Sequence, residues 1–223
     1  MRVIFPLNQI QIQRMKNLLT TIVFIFGFFF SQAQHKITYG LTAGLNISSA
    51  GYGSPHTYFG KSSKTGFAGN AFVNINFAHG FSLQGELGYI NFGSSYHDQD
   101  EPEPGDYINV HVSRNYITLA VLPTYKFNHT GLSVFAGPSI GYLINTRSQS
   151  DYFLFGENYA YSLPPFNYQK VPVFGILGAA YSLPAGFGIS ARYINGLTNI
   201  MDPYQHFTAY QHSFNFMVNY TFR

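Results

Sequence analysis

Between His212 and Phe222 the chain sets Phe214, Phe216, Val218, Tyr220 and Phe222 at every second position, with Ser213, Asn215, Met217, Asn219 and Thr221 between them. Alternation at period two predicts a strand with one apolar and one polar face. Further segments alternate in the same way or are rich in strand formers. Residues 37–48 place Ile37, Tyr39, Leu41, Ala43, Leu45 and Ile47 opposite Thr38, Gly40, Thr42, Gly44, Asn46 and Ser48. Residues 65–78 place Phe67, Ala71, Val73, Ile75 and Phe77 opposite Asn70, Phe72, Asn74 and Asn76. Residues 187–200 begin with Phe187, Ile189, Ala191 and Tyr193 opposite Gly188, Ser190 and Arg192. The other strands are predicted at 81–95, 109–127, 132–147, 170–182 and 211–222. Pro123 and Pro138 each remove a ladder donor inside a strand and read as bulge markers.

The links between these eight strands alternate in length. Ala78-His79-Gly80, Asn128-His129-Thr130-Gly131 and Pro184-Ala185-Gly186 are tight turns built from residues suited to them. Between them lie the long links 49–64, 96–108, 148–169 and 201–211. A soluble sandwich gives no reason for every second loop to be long. Outer-membrane barrels do: their periplasmic turns are short, their external loops long, and their strand number even. Backbone in lipid must be fully paired, so the sheet has to close. The predicted fold is all-β, an eight-stranded antiparallel up-and-down transmembrane β-barrel with its apolar faces in outer-membrane lipid. The competing reading is a soluble lipocalin-like binder whose apolar faces point inward.

Composition supports the membrane. Charged residues are 9% of the 223, against roughly a quarter in ordinary soluble domains, while aromatics reach 18%. Mean hydropathy near zero argues against a bundle of membrane helices. At the start, Met15 to Gln34 carries a basic opening, an apolar run from Leu18 to Phe30, and Ser31-Gln32-Ala33. This is the form of a secretory signal peptide. Residues 1–33 are therefore expected to be the leader, with translation starting at Met15 and cleavage between Ala33 and Gln34. Residues 34–223 form the barrel domain. Of the 12 Lys and Arg residues the leader takes Arg2, Arg14 and Lys16, which leaves nine against nine acidic residues. A neutral mature chain gives no support to a nucleic-acid partner. With no cysteine there is neither a lipoprotein anchor nor a disulfide framework.

Three stretches resemble the PorT-like outer-membrane β-barrel family of Bacteroidota: Arg114 to Phe127, the Ala-Gly-Pro and Gly-Tyr-Leu pattern of Phe135 to Thr146, and Ala191 to Ile200. The chain departs from the family at Val173, where an acidic residue is common, and at Arg223, which follows Phe222 where many barrels end in an aromatic. The resemblance implies the fold and the membrane but no specific activity.

No catalytic, metal-binding or cofactor-binding residue is assigned. The acidic stretch Asp98, Asp100, Glu101, Glu103 and Asp106 lacks EF-hand spacing and reads as a solvated loop. His97, His111, His206 and His212 lie in or beside long loops. His212 and Ser213 are adjacent in a strand and so point to opposite faces. His111 and Ser113 share a face without an orienting carboxylate. Glu86 and Arg192 fall on polar faces, each five residues above the start of its strand, on strands opposite one another in an eight-membered ring. They are expected to pair in the lumen beside Asn74, the alternative being separate hydration. The aromatic loop Tyr152 to Tyr168 reads either as a contact for a partner or as a plug over the barrel mouth. Two functions follow. The first is a non-enzymatic structural or interaction barrel whose external loops meet an envelope protein or a glycan. The second is a small pore or a transport or secretion component. A lumen filled by side chains favours the first.

Overall fold

The computed structural model describes residues 36–52, 60–98, 107–128, 130–154, 157–161, 168–201 and 208–222. The predicted leader and its cleavage site at Ala33 and Gln34 lie outside the described residues. Eight strands form the wall: β1 (Lys36–Tyr52), β2 (Gly60–Asn76), β3 (Phe81–Asp98), β4 (Tyr107–Lys126), β5 (Leu132–Leu154), β7 (Val173–Ser182), β8 (Phe187–Gly196) and β9 (Ala209–Phe222). A short β6 (Glu157–Tyr161) pairs with the outer end of β5 alone. Every strand pairs with its neighbour along the order β4-β3-β2-β1-β9-β8-β7-β5, and β4 also pairs with β5, which closes the ring. The closing seam of β1 and β9 is continuous from Tyr39↔Phe222 to Tyr52↔Ala209. It needs no bulge, because both strands alternate without interruption.

The first and last short turns share one device. In the first, His79 (φ 60°) and Gly80 (φ 83°) are both left-handed, and the Phe77 N–H donates to the Phe81 carbonyl at 2.7 Å. In the last, Ala185 (φ 60°) and Gly186 (φ 85°) repeat this, with Leu183 N–H donating to Phe187 O at 2.8 Å. Two consecutive left-handed residues match the twist of the flanking strands, and glycine takes one of the two positions at no steric cost.

Alternation sorts the side chains as it does in the sequence. Phe214, Phe216, Val218, Tyr220 and Phe222 point outward, as do Ile37, Tyr39, Leu41, Leu45 and Ile47. Aromatic rings gather on the outer wall at the short-turn end: Tyr39 against Phe222, Phe81 against Tyr125, and Phe187 against Tyr220, with centroids 4.9–5.5 Å apart. From Phe222 up to His212, about ten residues at about 3.3 Å each and a tilt of about 40° cover roughly 25 Å, the height of a barrel's apolar band. The apolar outer faces of β3, β4 and β5 end at one row of the register. Above Tyr89, Ile117 and Ile144 comes the row Asn91↔Asn115↔Asn145, which the register places side by side. Tyr89 donates its hydroxyl to Asn115 Oδ1 at 2.8 Å, fixing a tyrosine at the boundary.

Several strands differ from the sequence reading. The proline positions are not bulges. Pairing of β4 with β5 passes over Val121–Pro123 and Ala136–Pro138 without changing register, and both prolines point outward. Their missing donors interrupt one ladder, while the flanking ladders β3–β4 and β5–β7 run through them. The bulge falls instead opposite Asn115 and Tyr116, which face Asn145 and Leu143 and leave Ile144 extra. That one residue shifts the phase of β5, so that Arg147 and Gln149 face outward and Ser148 and Ser150 inward. A second irregularity lies in β2 between Ser63 and Ala68. There β1 side chains reach past β2 to the β3 backbone. Asn46 Nδ2 donates to Asn91 O at 2.6 Å, and Gly93 N–H donates to Ser48 Oγ at 2.7 Å. The β5–β6 hairpin occupies the stretch read as a loop from Tyr152. β7 starts at Val173 rather than 170, and β8 ends at Gly196 rather than 200, because these segments turn inward, as described below.

Placing Lys at Val218, outward and within the apolar band, is expected to cost about 2–4 kcal/mol in reversible unfolding from lipid vesicles. Lys at inward-facing Asn219 should cost less, and a reversed order would mean the faces are inverted.

Candidate functional site

The lumen is organised around one ion pair. Glu86 of β3 and Arg192 of β8 extend inward from opposite walls, both 4% exposed. Arg192 Nη1 donates to Glu86 Oε2 at 2.7 Å and Nη2 donates to Oε1 at 3.3 Å. Gln84, not Asn74, is the amide beside them: its Nε2 donates to Glu86 Oε1 at 2.5 Å. Asn74 sits opposite Gln84 in the β2–β3 register, and its Oδ1 is buried without a hydrogen bond. The guanidinium also lies 5.2 Å from the centroid of the Phe135 ring. Phe135 enters the lumen because its neighbour across β5–β7 is Gly178, where any Cβ would collide with the ring. A carboxylate taken out of water needs compensation of this kind, and the planar fork of Arg supplies two donors in one geometry.

Above the pair the lumen is apolar, a layer that the sequence reading of the inward faces did not contain. Phe92, Tyr116 and Phe174 meet in the centre, with ring centroids 5.4–6.0 Å apart and each ring about 1% exposed. Inward Gly141 makes room for them, since a Cβ there would stand 2.9 Å from Phe174 and 3.2 Å from Tyr116. Ile90, Ile176 and Ile194 complete the layer. A cavity of about 20 Å³, the size of one water molecule, separates it from the Glu86–Arg192 pair. Phe92 lies between outward Asn91 and Gly93, and Tyr116 beside outward Asn115, so period two read locally assigns these aromatics to the wrong face.

A third layer closes the outer end. Arg114 is fully buried; its Nη2 donates to Gln211 Oε1 at 2.6 Å, and its guanidinium lies 4.9 Å from the ring centroid of Tyr168. Tyr168 ends the aromatic stretch that began at Tyr152, and it packs with Ile200, Met201, Val112, Ala50 and Ala209. Asn199 fixes this inward turn, because its Oδ1 accepts from both Met201 N–H (3.1 Å) and Ala209 N–H (2.8 Å). Thr198 Oγ1 accepts from Val173 N–H at 3.0 Å, and Gly141 N–H donates to Pro172 O. The ends of the two long links therefore fold into the mouth as a plug. Residues 162–167, 202–207 and most side chains of the aromatic stretch lie outside the described residues.

Among the described residues, His111 and His212 do not join a serine and a carboxylate in one group. His111 Nδ1 lies 2.8 Å from Ser95 Oγ, while Ser113 Oγ accepts from Lys64 Nζ at 2.8 Å, so His111 and Ser113 take different partners. His212 is outward, 2.7 Å from Asn195 Oδ1 and stacked on Tyr193, whereas Ser213 is inward and buried. The side chains of His97 and Asp98, and His206 with the rest of the acidic loop from Asp100 to Asp106, lie outside the described residues. Among the described residues no group of three His, Asp or Glu side chains is placed to hold a metal.

A closed ring of eight antiparallel strands, apolar outside and filled within, defines an outer-membrane β-barrel protein. Residues 30–202 match the model of the outer membrane protein beta-barrel domain, and the chain belongs to that family. Among solved structures it is similar to Neisserial surface protein A (10% identity, 84% of this chain and 99% of that one, TM-score 0.44). It is also similar to Ail of Yersinia pestis in complex with the heparin analogue sucrose octasulfate (12%, 84% and 99%, TM-score 0.46). A third is the outer membrane protease OmpT of Escherichia coli (7%, 86% and 99%, TM-score 0.45). No curated protein matches the chain.

Removing either charge of the lumen pair strands the other. Glu86→Gln or Arg192→Gln alone is expected to lower unfolding stability in detergent by about 3–5 kcal/mol. The double variant should lose much less than the sum of the two. Effects that add to within about 0.3–0.5 kcal/mol would mean that the residues are independent.

Proposed function

We propose that this chain is a PorT-like, non-enzymatic barrel that serves the envelope as a structural or interaction module, with its external end as the working part. The observation that carries this reading is the filled lumen. Glu86–Arg192, the Phe92–Tyr116–Phe174 layer and the Arg114–Gln211–Tyr168 layer follow one another along the barrel axis, and a cavity of about 20 Å³ lies between the first two. Such an interior gives a solute no path.

The strand lengths add a second support. A transmembrane strand needs about 9–11 residues. β7 and β8 have 10 residues each, whereas β3, β4 and β5 have 18, 20 and 23. On one side the wall therefore rises well beyond the apolar band, carrying the β5–β6 hairpin with Tyr152, Phe153, Tyr159 and Tyr161. Aromatic residues beyond the membrane suit contact with an envelope protein or a glycan. A leader spanning 1–33 and cleaved between Ala33 and Gln34 fits export to that location.

The barrel reconstituted in planar lipid bilayers is expected to stay electrically silent. Discrete conductance steps from the unmodified chain would overturn the reading in favour of a pore or transport component.

A further inference from the structure

We infer that the outer wall of β2–β5 carries a binding site for a phosphorylated glycolipid headgroup of the outer leaflet, formed by Lys64, Ser113 and Arg147. The inference goes beyond the interaction role of the loops and does not depend on which partner they take. Outward rows cross β3, β4 and β5 in order of height: Asn91↔Asn115↔Asn145, then Gly93↔Ser113↔Arg147, then Ser95↔His111↔Gln149. The first row closes the apolar band. The second therefore stands at the depth of the headgroups, one row above the hydrocarbon.

Two cations occupy that second row. Arg147 faces outward and exposed, because the extra residue Ile144 shifts the phase of β5 just below it. Lys64 comes from β2, at the irregularity between Ser63 and Ala68. Its stem lies flat across Gly93, where a Cβ would stand 2.5–2.8 Å from Lys64 Cδ, Cβ and Cγ. The ammonium then reaches β4 and donates to Ser113 Oγ at 2.8 Å. One ammonium and one guanidinium thus flank a hydroxyl on adjacent strands.

Neither cation has an anionic partner among the described residues, where the single ion pair is Arg192 with Glu86. Asp151, the outward acid of β5, stands two rows higher, away from the membrane. Both irregularities in the wall bring positive charge to this one level, and the glycine lets the lysine lie against the wall. At a membrane surface the matching anion is a headgroup phosphate. Arg offers it a two-donor fork, Lys a point charge and Ser113 a hydroxyl. Each cation near an anionic surface adds an attraction that salt screens.

The test uses the full barrel in neutral detergent. It is titrated with diphosphorylated lipid A, with the same lipid after removal of its phosphates, and with inorganic phosphate, and binding is read by thermal stabilisation and by microscale thermophoresis. The unmodified barrel should bind the phosphorylated lipid at least tenfold more tightly than the dephosphorylated lipid. Lys64→Gln with Arg147→Gln should lose on the order of tenfold in affinity for the phosphorylated form. Unfolding without lipid should stay unchanged, since both residues are at the surface. Lys126→Gln, at the short-turn end, should leave affinity unchanged. Equal binding of the two lipids, equal loss in the Lys126 variant, or binding of inorganic phosphate as tight as that of the lipid would each overturn the site.

Discussion

A peptide N–H in hydrocarbon has no water to bond, and leaving it unpaired costs several kcal/mol. Every strand of this wall must therefore have two neighbours, and β1 must find β9. The rest of the structure follows from that closure. Eight strands enclose a space only as wide as a few side chains, so whatever points inward must pack. The chain meets this with alternating sizes. Gly178 faces Phe135, Gly141 faces Phe174 and Tyr116, and the buried carboxylate of Glu86 meets the guanidinium of Arg192. The Glu86–Arg192 pair ties two walls that share no ladder. It holds the barrel across its diameter, where neither backbone pairing nor lipid acts.

Height along the wall is set by a different force. Outside, apolar side chains stay in contact with lipid until the row of Asn91, Asn115 and Asn145. Below that level the outward residues of β3 to β5 are Phe, Leu, Tyr, Val, Ile, Ala, Pro and Gly, with no charge among them; from it upward they are Asn, Gly, Ser, His, Arg, Gln and Asp. The strands on this side continue past the boundary as a standing sheet, whereas β7 and β8 end after ten residues each. The barrel is therefore asymmetric, with one tall flank. The residues that follow β8 and precede β7 fold into the mouth, through Asn199 and Tyr168, where a longer strand would have carried them outward.

Much of this fold was legible in the sequence. Period-two alternation and the strict sequence of short and long links point to the closed ring and to the outward face of β9. Glu86 and Arg192 could be set on inward faces at equal height because their strands begin at tight turns, which fix the count. What was not legible depends on single residues and on contacts distant in sequence. An extra residue at Ile144 leaves local alternation plausible in either phase, so the sequence points to the prolines and not to the position of the bulge. Those prolines are tolerated because they face lipid and interrupt only one ladder. The aromatic layer of Phe92, Tyr116 and Phe174 was hidden because the outward neighbours of Phe92 and Tyr116 include Asn91, Gly93 and Asn115, so local alternation there reads with its faces reversed. Lys64 escaped notice altogether. Only the irregularity of β2 and the bare backbone of Gly93 bring its ammonium to Ser113.

The central claim is that lipid, not a soluble core, meets the apolar face, and that this contact ends at Asn91. The chain contains no cysteine, so single cysteines can be placed along β3 from Phe81 to Ser95 and spin-labelled in lipid vesicles. Oxygen concentrates in the bilayer and a nickel chelate stays in water, so their relaxing effects report the surroundings of each label. The account predicts high oxygen access at positions 81, 83, 85, 87 and 89, low access to both agents at the intervening inward positions, and a switch to the nickel chelate at 91, 93 and 95. Nickel access at every second position from Phe81 upward, or oxygen access that continues past Gly93, would contradict it.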